Sequence, residues 1–292
     1  MKQTTKQKKK IIKQKIKNQD ENWFTTETIT KLGLIFLAIQ LIGLIVAQNI
    51  YTQGYTQALF TENINDAING IYLFGMIIIT TIIFLLIVKF KRTKKLLWGV
   101  EMLAIFSTSL IVFSSFFPTS YLIALILTTV IFILRYSQVK NITTRSLAAG
   151  IAIMGAGAYI GTSIGMIPLV IFVTILSLYD IIAVFFTKHM IQIGKESTQN
   201  NYAFTIAIPT KKHHFEIGNG DLVIPLALAS SIITSGPFTN NWIISGLIIL
   251  MSYLGITISL QFVSKYKTPM PALPPQVMLM LITILLGLIL GA

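Results

Sequence analysis

The sequence has no cysteine, which excludes disulfides, thiolate metal centres and cysteine nucleophiles, and leaves the redox compartment open. Acids are few: ten Asp and Glu stand against 23 Lys and Arg in 292 residues. Histidine is scarcer still, at three. No His-Glu-x-x-His accompanies His189 or the vicinal pair His213-His214, so these make a poor metal site and no metal is expected. Gly194-Lys195 lacks the upstream glycine of a phosphate loop, and there is no Gly-x-Ser-x-Gly elbow to carry a nucleophilic serine. What the chain has in excess is apolar side chains, 54% against 11% charged, which excludes an ordinary soluble globule. A polytopic, all-α membrane protein is the class that remains.

Crossing about 30 Å of hydrocarbon takes a helix of about 20 residues. Nine apolar runs qualify: Leu32–Ile50, Asn69–Val88, Leu96–Phe117, Thr119–Leu134, Ser146–Gly161, Ile167–Phe186, Gly218–Ser235, Trp242–Val263 and Pro271–Ala292. The chain thus divides into a basic tail, residues 1–31, and a nine-span domain, residues 32–292. With the N-terminus in the cytoplasm, the inner segments Met1–Lys31, Lys89–Lys95, Arg135–Arg145, Lys188–His214 and Ser264–Met270 carry nine, five, three, four and two basic residues. Those are all 23; the outer segments carry none. The positive-inside rule therefore predicts N-in and C-out, with residues 187–217 as a cytoplasmic loop.

The same sorting removes nucleic acid as a partner. The lysine-rich tail has no aromatic residue before Trp23 to stack on a base, and it reads as an anchor on anionic lipid. It does not read as a cleavable signal, because the first apolar run begins some 30 residues in and is too long for one. Gly157, Gly161 and Gly165 recur at four-residue spacing and predict close helix packing. Glu101 is expected to snorkel toward Lys94 or Lys95. Asn141-Ile142-Thr143 has the form of a glycosylation acceptor on the wrong side of the membrane.

Two aspartates need a reason, since a charge inside a bilayer costs at least ~2.5 kcal/mol. Asp180 stands eight residues before Lys188 on one run, and Asp221 nine after Lys212 on the run that returns. At 1.5 Å per residue both lie roughly 12 Å from the inner basic edge, where adjacent antiparallel helices can set them face to face. Two carboxyls in a dry site cannot both ionise cheaply, so the pair is expected to share one proton. In that state one carboxylate can take a proton from water while the other carboxyl polarises a peptide carbonyl, with no cofactor required. Gly218 and Gly220 precede Asp221, allowing unusual backbone angles and close approach of another chain, and Pro225 predicts a kink where it denies an N–H to the Asp221 carbonyl.

Tyr179-Asp180, Gly218-Asn219-Gly220-Asp221 and Pro271-Ala272-Leu273 fall in the sixth, seventh and ninth runs. In that order they resemble the YD, GxGD and PAL motifs of the presenilin and signal peptide peptidase family of intramembrane aspartyl proteases, in a form with short loops that suggests a microbial homologue. The resemblance implies that Asp180 and Asp221 are the catalytic pair. It further implies that Tyr179, Gly218, Asn219, Gly220, Pro271, Ala272 and Leu273 line the site and hold substrate. The expected substrates are single-span membrane proteins cut within the bilayer, and the expected location is the plasma membrane of a microbe; an oligomer is compatible with the sequence and not determined by it. An N-in orientation is similar to presenilin and opposite to signal peptide peptidase. Two departures are Asn219, where an apolar residue is usual, and Pro274-Pro275 after the PAL segment.

Within the loop, Tyr202, Phe204, Ile206 and Ile208 alternate with Ala203, Thr205 and Ala207. The pattern fits either a strand whose free edge pairs with an unwound substrate or a segment lying on the membrane. Paired membrane carboxylates also suit a proton-coupled transporter or cation pathway, against which stand the lack of internal repeats and the position of both acids off the midplane. An inert binding protein of the same fold is the third reading.

Overall fold

Each apolar run folds as a helix, as it must where no water is present to satisfy backbone amides. A computed structural model of the protein describes residues 25–89, 93–187, 201–209, 214–266 and 270–291. Most of the basic tail, His189 and His213 lie outside them. Nine α-helices are found among the described residues: α1 (Thr26–Thr52), α2 (Ile68–Lys89), α3 (Thr93–Phe116), α4 (Tyr121–Ser137), α5 (Ile142–Ser163), α6 (Met166–Ile182), α7 (Gly220–Ser235), α8 (Asn241–Tyr266) and α9 (Leu273–Leu290). Six of them, α1, α3, α5, α6, α8 and α9, are long and apolar enough to cross a membrane, while α2, α4 and α7 are apolar over shorter stretches. The protein is a multi-pass integral membrane protein.

Local chemistry explains the boundaries. Helix α1 starts six residues ahead of the expected Leu32 because the Thr25 hydroxyl caps it, accepting from the Thr28 N–H at 3.3 Å. Asn141 does the same for α5, accepting from the Thr143 N–H at 2.9 Å, so the residue with a glycosylation-like context is a helix cap. Helix α7 starts at Gly220, two residues later than expected, because Gly218 still belongs to a strand. Helix α9 starts at Leu273 instead of Pro271, with Ala272 as its N-cap.

The all-α expectation needs one amendment. Strands β1 (Thr205–Pro209) and β2 (His214–Gly218) form an antiparallel hairpin in register, Thr205 opposite Gly218 and Ala207 opposite Glu216. The alternating segment is thus a strand over Thr205–Pro209. One edge pairs with β2, and on the other the Ala207 N–H donates to Ser146 Oγ of α5 at 3.1 Å.

Helix α7 is the centre of the bundle. It packs on α1, α5, α6 and α8, and Leu222 together with Ile224 through Ile233 is buried on every side. Its closest neighbour is α5, as the glycine spacing predicted: a Cβ at Gly161 would collide with the Ala227 carbonyl, and one at Gly157 would meet Leu226 at 2.7 Å. Gly165 sits equally close to Asn65 and donates its N–H to the Ile64 carbonyl at 2.8 Å.

Glu101 does not snorkel to Lys94 or Lys95. The α3–α4 hairpin lays it against Arg135, and the two form an ion pair at 2.8 Å with both side chains 1% exposed. A carboxylate this deep is cheaper beside a planar guanidinium than stretched toward the interface.

Candidate active site

Helices α6 and α7 run antiparallel, and one bond fixes their register. The Met166 N–H, at the head of α6, donates to Ser235 Oγ, at the foot of α7, at 2.9 Å. Asp180 comes fourteen residues after Met166 and Asp221 fourteen before Ser235. Equal rises of 1.5 Å per residue bring the two aspartates to one level, as the sequence predicts. Their carboxyls lie within electrostatic reach of one another. Asp180 is buried, and Asp221 is half-buried.

The head of α9 meets Asp180. The Leu273 N–H donates to Asp180 Oδ2 at 3.2 Å across 93 residues of sequence. A helix start normally offers several unpaired N–H groups. Here the next two residues are Pro274 and Pro275, which have none, so the first turn presents the Leu273 amide in their stead. The two prolines that departed from the expected motif therefore sharpen this contact. Pro271 and Leu273 are buried beside it, and Ala272 is half-buried.

Past Asp180 the helix widens into a π turn, Ala183–Thr187, opened by an Ala183 N–H shared between the Tyr179 and Asp180 carbonyls. Tyr179 is half-buried and packs edge-on against Phe74 of α2, with ring centroids 6.0 Å apart. It faces a neighbouring helix, whereas Asp180 faces α9.

Asp221 is held differently. The hairpin that precedes it is tied to α5, and the segment leading into it to α4, by polar side chains. Arg145 of α5 pairs with Glu216 at 2.9 Å, and the Thr205 hydroxyl donates to the other Glu216 oxygen at 2.7 Å. Arg135 donates to Glu101, to the Val139 carbonyl at 2.8 Å and to the Asn201 carbonyl at 2.6 Å. Asn201 adopts a φ of 58°, a left-handed conformation that Asn tolerates, and its amide also reaches the Val139 carbonyl.

Asn219 closes the base of the hairpin, its N–H on the Phe204 carbonyl at 3.0 Å and its side-chain amide on the Ala203 carbonyl at 2.8 Å. Its side chain is spent on the hairpin, which explains a polar residue at this place. Beyond Asp221, Gln40 of α1 donates to the Leu222 carbonyl at 2.8 Å.

Neither glycine of the Gly-Asn-Gly-Asp segment has a positive φ, so the left-handed conformations that glycine allows are not used here. The open space is real: nothing stands within 4 Å of a Cβ built at Gly220, and at Gly218 it would meet Asp221 Oδ2 at 3.6 Å. Pro225, where a kink is expected, lies inside helix α7, which runs on to Ser235. Among the described residues no cluster of three or more His, Asp or Glu could hold a metal.

Sequence reasoning missed Gln40, the Arg135 and Arg145 pairs, and the role of Asn219. Gln40 carried a signal, as a lone amide midway along an apolar run. The arginines were counted as topology marks at loop ends, and only the packing shows them 1% exposed.

A bundle of apolar helices enclosing two carboxyls at one level defines a membrane protein with an acidic centre. The family model described as signal-peptide peptidase, presenilin aspartyl protease matches residues 33–289, and the chain belongs to this family of enzymes. Two solved structures share the fold, both described as a presenilin family intramembrane aspartate protease. One, in space group C222, is 20% identical with a TM-score of 0.67, covering 90% of this chain and 99% of the other. The second, in space group P2, is 20% identical with a TM-score of 0.65, covering 92% and 100%. Comparison with curated proteins finds no match.

Proposed function

We propose that the protein is an intramembrane endopeptidase that hydrolyses peptide bonds within transmembrane segments of its substrates, with Asp180 and Asp221 as the catalytic pair. The observation that carries this reading is the meeting of three distant segments: Leu273 bonded to Asp180, and Asp221 level with it on the adjacent helix. One carboxylate takes a proton from water as that water attacks the scissile carbonyl, and the other carboxyl donates to the carbonyl oxygen. The roles then exchange as the tetrahedral intermediate collapses and the amine leaves. The uncluttered space at Gly220 is where an opened substrate backbone approaches, and Pro271, Ala272 and Leu273 border the same centre.

The proposal extends to topology. Nine crossings, with the N-terminus in the cytoplasm and the C-terminus outside, place every lysine on the inner side. Arg135 and Arg145 are occupied in buried pairs, so the sorting rests on the lysines and Arg92. Substrates are single-span proteins, and the setting is the plasma membrane of a microbe.

The test is cleavage of a single-span reporter by purified protein in mild detergent, beside Asp180→Asn and Asp221→Asn, with products located by mass. Cuts inside the span by wild type alone support the reading, and continued cutting by both variants removes it. Proton-dependent uptake in vesicles without proteolysis, lost in the same variants, would establish a transporter instead.

A further inference from the structure

Behind the Leu273 contact lies a pair of buried polar side chains that the proposed reaction does not use. Gln276, three residues further along α9, is fully buried. Its Nε2 donates to the Ala272 carbonyl at 3.2 Å, and its Oε1 accepts from Ser252 Oγ of α8 at 2.9 Å. Ser252 is fully buried too. A primary amide inside an apolar bundle costs free energy unless it is bonded, and this one is bonded at both ends. The helices leave it no slack: a Cβ at Gly255 of α8 would stand 2.5 Å from Gln276 Cα and 2.6 Å from its N.

The Ala272 carbonyl and the Leu273 N–H are two halves of one peptide group, which is planar and rigid. Gln276 grips the carbonyl end of that plane, and Asp180 Oδ2 receives the N–H end. Turning the plane would carry the N–H off the carboxylate. Pro274 and Pro275 offer no amide to replace it.

We propose that Gln276, anchored by Ser252, is a positioning residue of the active site that sets the Ala272–Leu273 peptide plane so that its N–H meets Asp180. The proposal rests on the reading of Asp180 as one of the catalytic pair.

The experiment uses four variants of the full chain, one of them the double variant at Gln276 and Ser252. Gln276→Met is near-isosteric and removes both bonds, Ser252→Ala removes only the anchor, and Asp180→Asn is the reference. Each is read by kcat and KM on the single-span reporter, by thermal unfolding in detergent, and by difference infrared spectra in the carboxyl region. The Asp180 band is the one that Asp180→Asn abolishes. Misplacing one charge-directed donor is expected to lower kcat on the order of tenfold in Gln276→Met and about threefold in Ser252→Ala. KM should stay within about twofold, and the Asp180 band should shift in both variants. Because the two side chains act in series, the double variant should fall no further than Gln276→Met.

An unmoved Asp180 band overturns the proposal, and the infrared arm requires no substrate. A kcat that falls only in step with the folded fraction, or a KM that rises at constant kcat, overturns it as well. If Gln276→Met does not fold, Ser252→Ala alone decides by the same criteria. Failure of the protease reading looks different, since wild type and Asp180→Asn would then process the reporter alike.

Discussion

Asp180 sits within a continuous helix and its carboxylate receives the Leu273 N–H directly, whereas Asp221 follows a β-strand by three residues and is held through its surroundings. On the Asp221 side the bonds run to backbone and hairpin: Asn219 to Ala203, Gln40 to the Leu222 carbonyl, Arg145 to Glu216. One acid is fixed at its tip and the other at its root. A carboxyl fixed at its root can swing, and one bonded at its tip cannot without breaking that bond. The pair thus joins a rigid member to a member whose neighbourhood at Gly220 is open.

Substitutions can break this comparison or sharpen it. The largest effect falls on both sides alike. Asp180→Asn and Asp221→Asn are each expected to lower reporter cleavage by at least about a hundredfold, the lower range for losing a general acid or base. Quantitative mass spectrometry of the products reads it.

Next comes Arg145→Met, which leaves the partly buried Glu216 with the Thr205 hydroxyl but without its countercharge. Breaking one partner of such a pair costs about 3–5 kcal/mol, visible as a lower unfolding temperature in detergent. The Leu273–Asp180 bond is left intact, so the carboxyl band of Asp180 should stay in place while the hairpin loosens. Gly161→Ala presses a methyl onto the Ala227 carbonyl and should cost about 1–3 kcal/mol by overpacking, again on the Asp221 side only. The smallest effect is that of Asn219→Leu. Losing its bond to Ala203 costs about 1 kcal/mol, and because the side chain faces the hairpin, the positions cut in the reporter should not change.

How much of this was legible beforehand depends on the range of the forces involved. The helices were readable because hydrocarbon imposes length and composition on each span separately, and every expected run overlaps a helix. The level of the two aspartates was readable because a helix rises by a constant amount per residue. Glu101 with Arg135 and Arg145 with Glu216 were not, since they join residues 34 and 71 apart and depend on which helices touch. The same holds for Gln40, 182 residues from the carbonyl it binds. The conformational freedom that Gly218 and Gly220 allow is left unused for a local reason. Glycine permits unusual angles without requiring them, and here β2 and α7 meet with ordinary ones.

The wide turn at Ala183–Thr187 has a consequence for how this chain can change in length. A π turn holds one residue more than the α-helical turn it replaces. A single codon gained just past Asp180 would leave this trace, and a single codon lost there would restore a regular helix while Asp180 keeps its place against Leu273. A deletion between Met166 and Asp180 would instead rotate Asp180 away from both α7 and α9. The segment of the gene that encodes residues 183–187 is therefore a place where a one-residue deletion removes a wide turn and leaves the acidic centre standing.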